Sequence, residues 1–231
     1  MKRFYRETAV ASGDAGYSVT LDGRTVRTPA KAELLLPTRA LAEAISAEWD
    51  EQETEIRPHL MPMTQLASTA IDRVRTRREG VITEIATYAE TDLLCYRADS
   101  PTELVARQAQ QWQPMLDWAE GQFDAALTVT EGVIPVAQPE GALRALKAAV
   151  ASCDEFVLSA LYTLTTVSGS LVLALAVRDS ALDPESAFDA SHIDEEWQAS
   201  QWGTDPQAES RRQRNREEIL AAARFLTHLR E

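Results

Sequence analysis

The chain has 231 residues, 45% hydrophobic and 26% charged, the balance of a soluble globular protein with room for one large domain or two small ones. A formal net charge of −13 excludes a general nucleic-acid binder, which needs surplus Lys and Arg to neutralise phosphates. The charge is uneven: residues 1–37 carry 6 basic and 4 acidic side chains (+2) and the remainder 17 and 32 (−15), a mildly basic head on an acidic body.

The head reads as β structure. Tyr17, Val19 and Leu21 alternate with Ser18 and Thr20, giving one apolar face. Asp22-Gly23 and then Arg24 to Thr28 follow, a two-residue hairpin signal because both turn positions need positive φ. Leu34 to Leu36, closed by Pro37, predicts another strand. Thr38 then caps a helix with the stripe Leu41, Ala44, Ile45 and Trp49. Pro58 and Pro62 break the chain. Residues 64–90 predict one or two helices, and Leu93 to Tyr96 a short strand. Ser100-Pro101-Thr102-Glu103 reads as a helix start with Ser as the cap. Its stripe is Leu104, Gln108, Trp112, Met115, Leu116, Ala119 and Phe123, with Pro114 inside. Residues 127–136 read as extended, and helices are expected at about 139–151, 154–167, 170–179, 185–202 and 206–229. Asp205-Pro206 opens the last of these. Phe156 to Val177 is long enough to span a bilayer, but Ser168-Gly169-Ser170 splits it into two buried helices. Strands first and helices afterwards predict an α+β fold.

The chain carries few marks of an active site. It has no glycine-rich phosphate loop, no Gly-x-Ser-x-Gly elbow and no local Cys/His signature. Cys95 and Cys153 lie in apolar stretches and read as buried small hydrophobes. His192 and Glu195 are one helical turn apart but lack further ligands, so no metal and no cofactor is expected, and His192 reads as a surface residue near a helix start. Glu195 and Glu196 point about 100° apart on a helix and read as a solvated acidic face rather than a catalytic pair. Glu195, Gln198 and Trp202 share one face, Trp197 and Gln201 another. Tryptophan beside carboxylate and amide suits protein recognition, while each ring could equally be core. Arg211, Arg212, Arg214 and Arg216 are expected to pair along their own helix with Glu209, Glu217 and Glu218. The N-terminus has neither a signal-peptide core nor the composition of a transit peptide, so the cytoplasm is the expected compartment. An enzyme with an acidic site and an adaptor for another client are the rival readings.

Six strings occur in order: LDGRTVRTPAK (21–31), EWDEQ (48–52), PMTQLASTAIDRV (62–74), TDLLCYRADSP (91–101), GSLVLALA (169–176) and DEEWQASQWGTD (194–205). Together they resemble the ATP-twelve family, the assembly chaperones for the α subunit of the F-type ATP synthase catalytic head. The resemblance implies a β-rich N-terminal domain with one helix (1–58), a helical C-terminal domain (59–231) and no hydrolysis of its own. It implies a chaperone that binds unassembled α subunit and keeps it from aggregating until β subunit replaces it. It implies no nucleic acid, membrane insertion or small-molecule substrate. The functionally sensitive acid of the family precedes its Trp-Gly pair, here Trp202-Gly203, and matches Glu195 or Glu196. On that basis the partner-binding residues are Glu195, Glu196, Gln198, Trp202 and Asp205, and the structural ones Trp49, Asp50, Gly23 and Asp92.

Overall fold

A computed structural model describes residues 1–132 and 134–231. The fold is α+β, short strands first and helices after them. The chain forms two compact units: Met1–Arg78 with Asp154–Ala160 and Ala221–Glu231, and Glu79–Cys153 with Leu161–Leu220. The strand-bearing unit therefore runs past residue 58 and takes in two segments from far along the chain.

In that unit β1 (Thr8–Gly13) and β2 (Gly16–Leu21) form an antiparallel hairpin, with Thr8 opposite Leu21 and Gly13 opposite Gly16. β2 also pairs antiparallel with β3 (Arg24–Thr25) and β4 (Leu35–Leu36). The Asp22–Gly23 turn is the expected one: φ is +48° and +78°, and Leu21 faces Arg24 across it. Val19 and Leu21 are buried on the face that α1 (Arg39–Asp50) covers. β1 lies in the head expected to be β, but no strand at Thr8–Gly13 was singled out. Its Ala-rich run alternates too weakly in hydropathy to announce a strand.

Thr38 caps α1 by accepting the Leu41 N–H (3.3 Å), and its hydroxyl donates to the His228 carbonyl (2.6 Å). Leu41 and Ile45 are buried as expected, but Ala44 and Trp49 are only partly covered, and Glu48 takes an inward position. The reason lies across the sequence. α2 (Pro62–Thr69) starts on a residue without an N–H, and its next two amides need acceptors. Glu48 supplies them, taking the N–H of Met63 (2.6 Å), the N–H of Thr64 (2.8 Å) and the Thr64 hydroxyl (2.7 Å). Burial pushes its pKa up while these bonds pull it down, and burial prevails. Glu48→Ala is expected to lower stability by about 1–3 kcal/mol in urea unfolding, because it strands one buried and one partly buried donor. Pro58 likewise begins a single 3-10 turn, Pro58–Leu60, so both prolines start helical turns. α2 continues as a π turn, Ala70–Val74, whose Asp72 accepts from the Thr28 hydroxyl (2.7 Å) and the Ala30 N–H (3.0 Å).

α3 (Arg78–Thr87) leads into the second unit. Leu93–Cys95, expected as strand, is a 3-10 turn followed by β5 (Tyr96–Arg97). The expected Ser100 cap does not form. Pro101 is extended (φ −75°, ψ 165°) in the capping position of α4 (Thr102–Phe123), and the Ser100 hydroxyl turns to Asp99 Oδ1 (3.0 Å). α4 runs on through Pro114. Of the extended run expected over 127–136, β6 (Thr130–Glu131) forms and pairs parallel to β5, while Val133 lies outside the described residues. α5 (Glu140–Ala151), α6 (Glu155–Ser168) and α7 (Leu171–Arg178) follow, α6 and α7 parted at Gly169 (φ +71°). Among the described residues no helix is long and apolar enough to cross a membrane. The single helix expected over 185–202 is two, α8 (Pro184–Ser191) and α9 (Ile193–Trp202), divided at His192. α10 (Pro206–His228) is last. The core of this unit gathers Leu94, Trp112, Leu116, Leu173 and Ile193.

Candidate functional site

α9 is held by side chains from two other helices. From α4, Gln108 Nε2 donates to Asp194 Oδ1 (2.6 Å), and its Oε1 accepts the Ala98 N–H (2.8 Å). Trp112 Nε1 donates to the Ala190 carbonyl (2.8 Å) just upstream. Glu196 is clasped by Arg107 of α4 and Arg212 of α10, one guanidinium on each carboxylate oxygen. Arg211 reaches Glu195 at 3.3 Å, and Arg216 pairs with Glu185 of α8. Three of the four arginines singled out in α10, Arg211, Arg212 and Arg216, thus pair with α8 and α9 rather than along their own helix. Tertiary partners offer them geometry that exposed i, i+4 neighbours do not.

His192 is buried rather than on the surface. Its ring lies 4.3 Å from that of Phe188, one turn earlier. Nδ1 lies 3.0 Å from the Phe188 carbonyl and 2.9 Å from the Ser191 hydroxyl, and Nε2 faces the Asn215 amide (3.3 Å).

Where α9 ends, Gly203 has φ +86° and ψ 170°, a conformation essentially closed to residues with a side chain, and the chain turns into α10. Asp205 assists the start of α10 by accepting the Gln207 N–H (3.3 Å). Between the two helices lies an open cleft of about 260 Å³. Glu195, Gln198, Trp202 and Asp205 all line it, with Glu209, Arg211 and Arg212. Glu196 does not. The two adjacent acids therefore differ in place, Glu195 on the cleft and Glu196 in the arginine clasp. The two tryptophans part in the same way: Trp197 packs against the core cluster, and Trp202 is 79% exposed. The clasping arginine Arg107 carried no signal in the sequence, since its acid is 89 residues away.

The other singled-out residues lie elsewhere. Gly23 holds its positive-φ turn position. Asp50 is exposed and meets Arg3 at 3.4 Å. Trp49 accepts the Tyr5 hydroxyl at its carbonyl (2.6 Å), with the Tyr5 ring edge-on at 5.7 Å. Asp92 is completely buried. Its oxygens accept the Leu94 N–H (3.1 Å) and the Val172 N–H (3.1 Å) at the start of α7, where Ser170 caps by accepting from Leu173 (3.0 Å). Desolvation outweighs these bonds and raises its pKa to about 6. Both oxygens of this buried carboxylate are thus engaged by backbone amides, and it is not among the residues that line the α9–α10 cleft. Cys95 and Cys153 are buried thiols in no disulfide, and burial pushes the Cys95 thiol up to about 12. Among the described residues no group of three or more His, Cys, Asp or Glu could hold a metal ion.

The family model described as ATP12 chaperone protein matches residues 2–120. The solved structure of Atp12 from Paracoccus denitrificans is similar, at 43% identity and a TM-score of 0.95 over 100% of this chain and 98% of that one. So is the Atu1473 protein of Agrobacterium tumefaciens, at 40% identity and a TM-score of 0.94, covering 99% of this chain and 86% of that one. The mitochondrial protein atp12 of Schizosaccharomyces pombe is 24% identical over 215 residues, 88% of this chain and 74% of its own length.

Proposed function

Because this chain belongs to the ATP12 chaperone family, whose work is ATP synthase assembly, we propose that it holds the unassembled α subunit of the F-type ATP synthase and does so at the α9–α10 cleft. The observation that carries the site is Trp202, a large ring left 79% exposed at the end of a helix that is otherwise fixed in place. Exposed aromatic side chains in a cleft are the usual anchors of protein interfaces. The charges around it favour a basic feature on the client. Glu195, Asp205 and Glu209 face the cleft against Arg211 and Arg212, and both arginines already have acid partners on α9. A client arginine stacked on Trp202 would meet Asp205 and Glu209, which close no salt bridge among the described residues.

On this reading free α subunit would expose apolar surface that β subunit covers in the assembled head, and such surface aggregates. Covering it and later yielding it to β subunit calls for a few strong anchors rather than a large interface. Binding and release of this kind need no bond to be made or broken. The test is co-purification of tagged chaperone with α and β subunits expressed separately. Retention of α and not of β is expected. Retention of β, or loss of α in a gentle wash, would overturn the proposal.

A further inference from the structure

β1 is an edge strand: β2 pairs with one side of it and, among the described residues, no strand with the other. The bond from the Asp22 N–H to the Glu7 carbonyl (3.0 Å) sets the phase of the ladder. In an antiparallel pair of this register, Ala9, Ala11 and Gly13 exchange bonds with β2, and the N–H and C=O groups of Thr8, Val10 and Ser12 point away from it. Those six groups have no hydrogen-bond partner among the described residues. Edge strands are normally blunted by a lysine, a proline or a bulge. The run Thr8-Ala9-Val10-Ala11-Ser12-Gly13 contains none of these, and its register is unbroken.

We propose that β1 is a self-pairing surface, through which two copies of this chain join across a two-fold axis at Val10. In that register Val10 faces Val10 of the second copy, Thr8 faces Ser12, and the six outward groups close six backbone bonds. The flanking charges select this register. Arg6 and Asp14 are both exposed, and neither closes a salt bridge among the described residues. Centring on Val10 brings Arg6, at the bend before the strand, to the end where Asp14 of the second copy stands in the turn after it, and does so twice. A slip of two residues either way sets Arg6 against Ser12, or Asp14 against Thr8, and loses both pairs. The strand also lies within residues 1–37, the part of the chain with a charge of +2, so the repulsion between two chains of −13 is concentrated elsewhere in the sequence. Six residues a side make a small interface, and the association is weak and concentration-dependent.

Sedimentation equilibrium of the full chain tests this, at concentrations up to about 1 mM, the weak limit of specific association. A monomer–dimer equilibrium is expected. Val10→Pro removes an outward N–H that β2 does not use, so dimers should vanish while the circular dichroism spectrum stays native. Arg6→Asp should weaken association roughly tenfold, since it sets acid against acid twice. Adding Asp14→Arg to it should restore the wild-type constant, which keeps the test decisive if the proline variant fails to fold. A wild-type chain that stays monomeric to the highest concentration, or a dimer that survives both Val10→Pro and the single charge reversal, would overturn the proposal. So would a charge swap that restores nothing.

Discussion

Trp202→Ala is expected to weaken capture of α subunit by about 30-fold or more, the effect of removing an interface anchor of roughly 2 kcal/mol or more. The thermal midpoint should stay where it is, because the ring is 79% exposed and contributes little to the core. The readout is suppression of α-subunit aggregation titrated against chaperone, beside a thermal melt of each variant. Trp197 is the control, since it packs on the core cluster, and its loss should lower stability first. The two acids should separate in the same experiment. Glu195→Gln removes a charge from the cleft and should reduce capture with stability unchanged. Glu196→Gln leaves Arg107 and Arg212 without their shared carboxylate and should cost about 1–3 kcal/mol of stability. Equal protection by Trp202→Ala and wild type would remove the cleft from consideration.

The second large effect is a pH dependence centred on Asp92. Its pKa rises from 3.8 to about 6 on folding, so the folded state holds the proton more tightly than the unfolded chain does. Stability from this group is therefore full below pH 3.8 and is lost as pH rises through about 6. At 1.36 kcal/mol for each factor of ten, the loss is about 3 kcal/mol. Asp92→Asn cannot ionise, yet its amide must set a donor against one of the Leu94 and Val172 amides. The variant should be less stable than wild type near pH 4. Between pH 4 and pH 8 wild type should lose about 2 kcal/mol relative to it, the rest of the loss having begun below pH 4. Unfolding free energies from urea titrations at the two pH values give that difference directly. A difference independent of pH would mean that Asp92 carries the same charge in the folded and unfolded chain throughout the range.

Features fixed by neighbours in sequence were readable and those fixed by distant partners were not. The Asp22–Gly23 turn and the Thr38 cap depend on a few adjacent residues, and both form as expected. Ser100 had the same local credentials and failed, because Pro101 is extended and occupies the capping position itself. Glu48 could not be recognised as the cap of α2, since the amides it covers lie 15 and 16 residues further on. The break at His192 escaped notice because a buried histidine bonded to the preceding turn looks, as a letter, like any helical residue. The cleft was partly legible: helical spacing put Glu195, Gln198 and Trp202 on one face, and the structure sets them around one cavity. Spacing could not show that Glu196, next door, would be claimed by arginines from α4 and α10.

The clasp on Glu196 bears on how often the surface can be used. A recognition helix that becomes ordered only in the complex gives up conformational entropy at each encounter and regains it at each departure. Here Arg107, Gln108 and Arg212 have already placed α9, so its ordering cost is met once, when the chain folds. If α9 is the binding surface proposed above, such a chaperone would leave its client in the state in which it can receive another, and turnover would be set by the exchange of partners rather than by any refolding of the helix between them.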